Sequence, residues 1–185
     1  MKRLHLLAGL FISVILPLSG QHYNDMSEVS GERIPGSGFV NITEVSGSFF
    51  GLRHTGSPNE EYYFGVTNII GYQIDKHFLA GAGFGYMAYD SSSLIPLFLE
   101  LRYTTCFKSI NPYLFYDSGF LIDFKNIADG SQMFINPGAG LSWSFSPRIE
   151  GIFGAGLMLQ MQPNHRTSFI NLKFGVIFRH HSISV

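Results

Sequence analysis

The stretch "NLKFGVIF", Asn171 to Phe178, puts Leu172, Phe174, Val176 and Phe178 on one face and Asn171, Lys173, Gly175 and Ile177 on the other. A period of two is the signature of a strand with two unlike faces. The same split recurs upstream. Phe64, Val66, Ile70 and Tyr72 oppose Gly65, Thr67, Gly71 and Gln73. Phe78, Ala80, Ala82, Phe84 and Tyr86 oppose Gly81, Gly83, Gly85 and Met87. Ile95, Leu97, Leu99, Leu101 and Tyr103 oppose Glu100, Arg102 and Thr104. Met133, Ile135, Ala139, Leu141 and Trp143 oppose Gln132, Asn136, Gly138, Gly140 and Ser142. Ile149, Phe153, Ala155, Leu157 and Leu159 oppose Arg148, Glu150, Gly154, Gly156 and Gln160. One face is large and apolar. The other carries most of the glycine and nearly all the strand charge.

Turn signals divide the chain into eight expected strands: 39–53, 62–74, 77–89, 93–107, 111–122, 132–145, 148–161 and 167–179. Three linkers are tight: Asp75-Lys76, Lys108-Ser109-Ile110 and Ser146-Pro147. The other four, at 54–61, 90–92, 123–131 and 162–166, are longer or more polar. Tight and loose linkers alternate, so all the tight ones fall at one end of an up-and-down antiparallel sheet. Eight is a common size for such a sheet to close on itself. The expected fold is therefore an all-β, eight-stranded antiparallel up-and-down barrel. Asn68, Pro137 and the Phe49-Phe50 pair interrupt the alternation, and each predicts a bulge or an edge irregularity.

Which face is outside decides what kind of barrel this is. A soluble barrel would show water a face of glycine with few charges, and would have to pack large side chains from every strand inside. In a membrane barrel the large apolar face meets lipid, and the glycines relieve crowding in a narrow lumen. Composition favours the second arrangement: only 14% of residues are charged, with 18 Phe, nine Tyr and 21 Gly, against about 25% charged in ordinary globular domains. Aromatics also recur near the strand ends, at Tyr62, Tyr72, Phe78, Tyr86, Tyr103, Phe107, Tyr113, Phe120, Trp143 and Phe178. Such rings suit the headgroup zone. Hence the reading is a transmembrane barrel, closed because an open sheet edge in hydrocarbon would leave backbone groups unpaired.

The N-terminus fits export. Lys2 and Arg3 precede the apolar run Leu6–Leu16, and Pro17-Leu18-Ser19-Gly20 offers small residues for cleavage. This is the layout of a signal peptide, and the run is too short to span as a helix. The expected organisation is a signal peptide at 1–20, a polar periplasmic leader at 21–38, the barrel at 39–179 and a tail at 180–185. Loss of residues 1–20 removes two bases and no acid, so the mature net charge is −3. That balance excludes a nucleic-acid partner. The lone Cys106 cannot form an internal disulfide and reads as a small strand residue.

"NLKFGVIF" resembles the C-terminal signal by which outer-membrane barrels are recognised for insertion: polar, any, Gly, apolar, any, aromatic, met by Lys173, Gly175, Val176 and Phe178. "GYQIDKHFLAGAGFGY" (71–86), "PYLFYDSGF" (112–120) and "FINPGAGLSW" (134–143) are similar to small outer-membrane β-barrel proteins of the Bacteroidetes type. Those share the eight-stranded architecture of the OmpA and OmpX barrels. The tail "RHHSISV" after Phe178 departs from the pattern, since such signals usually end the chain. The resemblance spans 39–179. It implies outer-membrane lipid as surroundings, the barrel-assembly machinery as a transient partner and periplasmic termini. It names no lasting protein partner.

For chemistry, the inward set is Glu44, Glu100, Arg102, Asp117, Arg148, Glu150 and Lys173. Charges taken out of water are tolerable only when paired. The expectation is a charge network that fills the lumen as a plug, with a gated ion path as the alternative. Catalysis is not expected. The pairs His54/Ser57 and His165/Ser168 stand near the outer rim, but neither matches the His-x-Ser-Asn motif of the outer-membrane lipid A deacylases, and no acid is placed to orient either His. His180-His181 alone does not make a metal site. No cofactor motif is present, so neither cofactor nor metal is expected.

Overall fold

The computed structural model describes residues 37–52, 62–89, 92–105, 107, 110–123, 131–161 and 166–179. The expected signal peptide, nearly all of the leader, the tail, Cys106 and most of the four longer linkers lie outside the described residues.

Eight strands follow in chain order: β1 (Gly38–Leu52), β2 (Tyr63–Gln73), β3 (Phe78–Tyr89), β4 (Ser93–Thr104), β5 (Asn111–Ile122), β6 (Gln132–Ser144), β7 (Ile149–Met161) and β8 (Arg166–Arg179). Each pairs antiparallel with its neighbour in sequence, and β8 returns to β1, so the sheet is a closed barrel. Closure has a measurable stagger. Register partners lead from Gly38 through Gln73, Leu79, Arg102, Phe115, Gly138, Gly156 and Asn171 to Ser48, ten residues further along β1. Ten residues at ~3.3 Å against eight strands at ~4.8 Å tilt the strands by about 40°. At that tilt a dozen residues rise about 30 Å, enough to cross an apolar band of about 25 Å.

The three tight turns share one end with the start of β1 and the end of β8. In each, a short polar side chain replaces missing ladder bonds. The Asp75 carboxylate accepts from the amides of His77 and Phe78 at 2.7 and 2.8 Å. The Asn111 side-chain oxygen accepts from the Phe107 amide at 2.8 Å. Ser146 Oγ accepts from the amides of Arg148 and Ile149 at 3.3 and 3.1 Å.

Irregularities fall at two of the three expected places. The β1–β8 register shifts between Ser48 and Phe50. The β6–β7 ladder lapses between Ile135 and Gly138, where Pro137 has no N–H to give. Pro96 does the same between β3 and β4, where pairing stops at Phe84↔Leu97 and resumes at Met87↔Leu94. Asn68 is different: both of its ladders run through without a bulge. Its side chain solves the problem instead. On the outer wall it exchanges two 3.0 Å hydrogen bonds with Asn41 and gives another to Thr43 Oγ1 at 3.0 Å.

The faces divide as the alternation requires. Leu99 is 67% exposed on the outer wall and the next residue, Glu100, is 0% exposed inside. The core is the lumen, and it is more mixed than the glycine-and-charge pattern implies. Towards the end with the longer linkers it holds Tyr63, Tyr89, Leu94, Leu121, Phe134 and Phe169, all buried. Tyr63 meets Phe169 edge-on at 5.6 Å between ring centres. Glycine makes these inward rings possible: a Cβ on Gly83 would lie 2.3 Å from Phe98 Cζ, and one on Gly138 would lie 2.2 Å from Phe115 Cζ.

Candidate functional site

Below the aromatic layer, five of the seven expected inward charges meet. Glu100 and Arg102 are two apart on β4, so they share its inner face. Arg102 Nε donates to Glu100 Oε1 at 2.7 Å, and its Nη2 reaches across to Glu44 Oε1 on β1 at 2.8 Å. Lys173 Nζ on β8 donates to Glu44 Oε2 at 3.0 Å and to Asp117 Oδ2 on β5 at 2.7 Å. Asn136 on β6 adds an amide to Asp117 Oδ2 at 2.9 Å. The chain Glu100–Arg102–Glu44–Lys173–Asp117–Asn136 therefore crosses the lumen and ties five strands together. All six residues are buried. Two cations also sit over rings: the Arg102 guanidinium 4.6 Å from the centre of Tyr113, and Lys173 Nζ 4.6 Å from that of Phe115.

Small cross-strand neighbours make room for these long side chains. Gly81 pairs with Glu100, Gly175 with Glu44 and Gly154 with Lys173. Glu100 stands directly opposite Asp117, a like-charge pair that would be unfavourable alone. Here Glu100 is paired with Arg102 and Asp117 with Lys173, and that compensation is what allows both inside.

The other two expected charges part company. Glu150 is buried near the turn end, but its cation is Arg179, whose Nε donates to Glu150 Oε2 at 3.2 Å. Arg179 Nη1 also donates to Gln73 Oε1 at 2.7 Å. Arg148 was expected inside as part of the network, and this is corrected: it is exposed on the turn before β7. The Ser146 hydroxyl draws in the amides of Arg148 and Ile149, so the chain is still turning at Arg148 and the inward face begins at Glu150. The missed partner had a signal. Arg179 continues the Asn171, Lys173, Gly175, Ile177 face by one more step. Tyr113 needs a similar correction. Its place near a strand end suggests a rim aromatic, yet it is 2% exposed and points inward on the Asp117 face. The remaining rim aromatics with described side chains lie on the outer wall or beside it, and Phe178 of the C-terminal motif is among them, 42% exposed. Val176 shares its outer face, while Gly175 faces inward above Glu44. His54, Ser57 and His165 lie outside the described residues; Ser168 is buried on β8 with the parity of the outward Ile170, opposite Leu159 and one residue before the inward Phe169.

A closed antiparallel sheet with an apolar outer wall and a polar-centred lumen defines a transmembrane β-barrel of the eight-stranded, up-and-down class. Among solved structures, Neisserial surface protein A is similar, with a TM-score of 0.52 and 14% identity, over 79% of this chain and 100% of that one. The N-terminal β-barrel domain of Pseudomonas aeruginosa OprF matches with a TM-score of 0.47 and 19% identity, over 78% and 100% of the two chains. A de novo designed transmembrane β-barrel matches at 0.45 and 14%, over 81% and 100%. At these identities the likeness is one of fold. No protein-family model matches the chain, and no curated protein matches it in sequence.

Proposed function

We propose that the protein is an integral outer-membrane barrel with a structural or interaction role, its lumen a plug of paired charges and not a solute path, and that it carries out no catalysis. The observation that carries this is the Arg102–Glu44–Lys173–Asp117 crossing, with every donor and acceptor pair at 3.0 Å or less and an aromatic layer above it. An interior of eight strands is just wide enough for side chains, and here side chains from all eight strands enter it. Outer-membrane residence with both termini periplasmic is the arrangement that sets the short turns on the periplasmic side. The likeness to Bacteroidetes-type small barrels rests on the three stretches quoted above. In this reading Lys173, Gly175, Val176 and Phe178 form the insertion signal read by the assembly machinery, and the lasting surroundings are lipid.

Two measurements test the proposal. Membrane fractionation should recover the chain with the outer membrane, and unheated protein should run ahead of boiled protein on a gel; recovery from the soluble periplasm would overturn the location. In planar bilayers the folded protein should give no steady conductance. Stable single-channel currents would replace the plug with the narrow-channel reading.

A further inference from the structure

Between the charge network and the aromatic layer lies a small cavity. The space open to the centre of a water molecule is about 10 Å³, close to the ~10–15 Å³ that one water requires. Its polar side is Asp117, Asn136, Asn171 and Lys173 with Ser46 and Thr67; its apolar side includes Phe98, Phe134 and Met158. The polar side is under-satisfied. Among the described residues, Asp117 Oδ1, Asn136 Oδ1 and both Oδ1 and Nδ2 of Asn171 complete no hydrogen bond of good geometry, although the Tyr63 hydroxyl approaches the Asn171 amide. These three residues are no more than 2% exposed. Buried polar atoms nearly always have a partner, from protein or from ordered water.

Gly156 on β7, by having no side chain, lets two of these acceptors converge. A Cβ built there would lie 2.6 Å from Asn136 Oδ1 and 2.7 Å from Asn171 Oδ1. The two oxygens thus flank one point and are at most about 5.3 Å apart. One water with two hydrogen bonds of ~2.8 Å spans up to about 5.6 Å. Asn136 is on β6 and Asn171 on β8, so the bridge passes over the glycine of the strand between them.

We propose that this cavity is a binding site for a single structural water, which donates to the amide oxygens of Asn136 and Asn171 and links β6 to β8 over Gly156. The inference builds on the plug reading by completing the polar layer of the same lumen. Two O–H donors answer converging acceptors. The amide of Asn171 and the ammonium of Lys173 also border the cavity, and such donors favour a neutral water over a metal cation. Gly156 leaves room for the two amide oxygens themselves, since a methyl there would push both out of place.

The test uses the full folded chain in detergent micelles or nanodiscs, with magnetisation transfer from water to side-chain amides read by nuclear magnetic resonance. The Asn136 and Asn171 amide protons should show direct transfer from a long-lived water. Gly156→Ala should abolish transfer at both. Asn171→Leu leaves Gly156 untouched and serves if the alanine variant does not fold; it should weaken transfer at Asn136 several-fold. Absence of transfer at both amides in the unaltered chain overturns the proposal, and so does transfer that persists in Gly156→Ala. Amide shifts that follow sodium chloride but not N-methylglucamine chloride would make the occupant a cation, which also overturns it. Conductance of the same preparation bears on the plug alone, so the two readings fail separately.

Discussion

Leu99→Arg is the perturbation that most directly separates the lipid-facing wall from the lumen. Leu99 stands six residues from the start of β4 and five from its end. At ~3.3 Å per residue and a tilt near 40°, that is about 15 Å from one edge of the strand and about 13 Å from the other. The side chain is 67% exposed on the outer wall, so it faces hydrocarbon at mid-depth. An arginine at the midplane of such a barrel costs about 2–4 kcal/mol, falling to about 0–1 near the interfaces. Ile149, the first residue of β7 and 38% exposed, lies at the turn end of the same wall. The expected result is a fall in the folding equilibrium of roughly 30- to 900-fold for Leu99→Arg, and about fivefold or less for Ile149→Arg. Reversible folding into lipid vesicles across a urea series, followed by Trp143 fluorescence, measures both. Glu100→Gln in the same series should still insert, because it keeps the shape and removes only one side of an ion pair. If Leu99→Arg is neutral, or costs no more than Ile149→Arg, position 99 does not face the middle of a bilayer and the assignment of faces is wrong.

Lys173→Met should destabilise by about 3–5 kcal/mol, because it strips the shared cation from Glu44 and Asp117 in a buried site; urea titration reads this, and a cost below that of Arg179→Met, at the more exposed Glu150 pair, would contradict the network's layout. Asn68→Leu alone should cost about 1–3 kcal/mol by leaving Asn41 unpaired in lipid, whereas Asn41→Val with Asn68→Leu should recover most of it; a double-mutant cycle with additive effects would count against the amide pair. The amides of His77 and Phe78 hold the Asp75 carboxyl below the ordinary aspartate range. That sign means the turn's contribution is present above the unfolded aspartate pKa and is lost as pH falls through the lowered one. Carboxyl shifts followed against pH should give a midpoint below that of the unfolded chain, and an equal midpoint would remove the cap from the turn.

Much of the barrel was legible because it is local. A period of two, a glycine-rich second face and short polar turns are each written within a dozen residues, and the strand bounds they imply agree with β1–β8 to within a few residues. The Phe49-Phe50 irregularity could be read the same way, since two large side chains in a row must break an alternation. Asn68 could not. Its remedy is a partner on another strand, Asn41, and local pattern does not say that one amide will find another.

The lumen shows the same boundary more sharply. By itself the sequence determined that Glu44, Glu100, Arg102, Asp117 and Lys173 would face inward, because backbone pleat alone assigns them to that side. Only the tertiary structure decided who meets whom. Glu44 and Lys173 are 129 residues apart in sequence and touch at 3.0 Å, and Glu150 pairs with Arg179, 29 residues further along the chain. Such pairings depend on the ten-residue stagger with which the sheet closes. That stagger is the sum of the registers across eight ladders, so no single segment of the chain contains it.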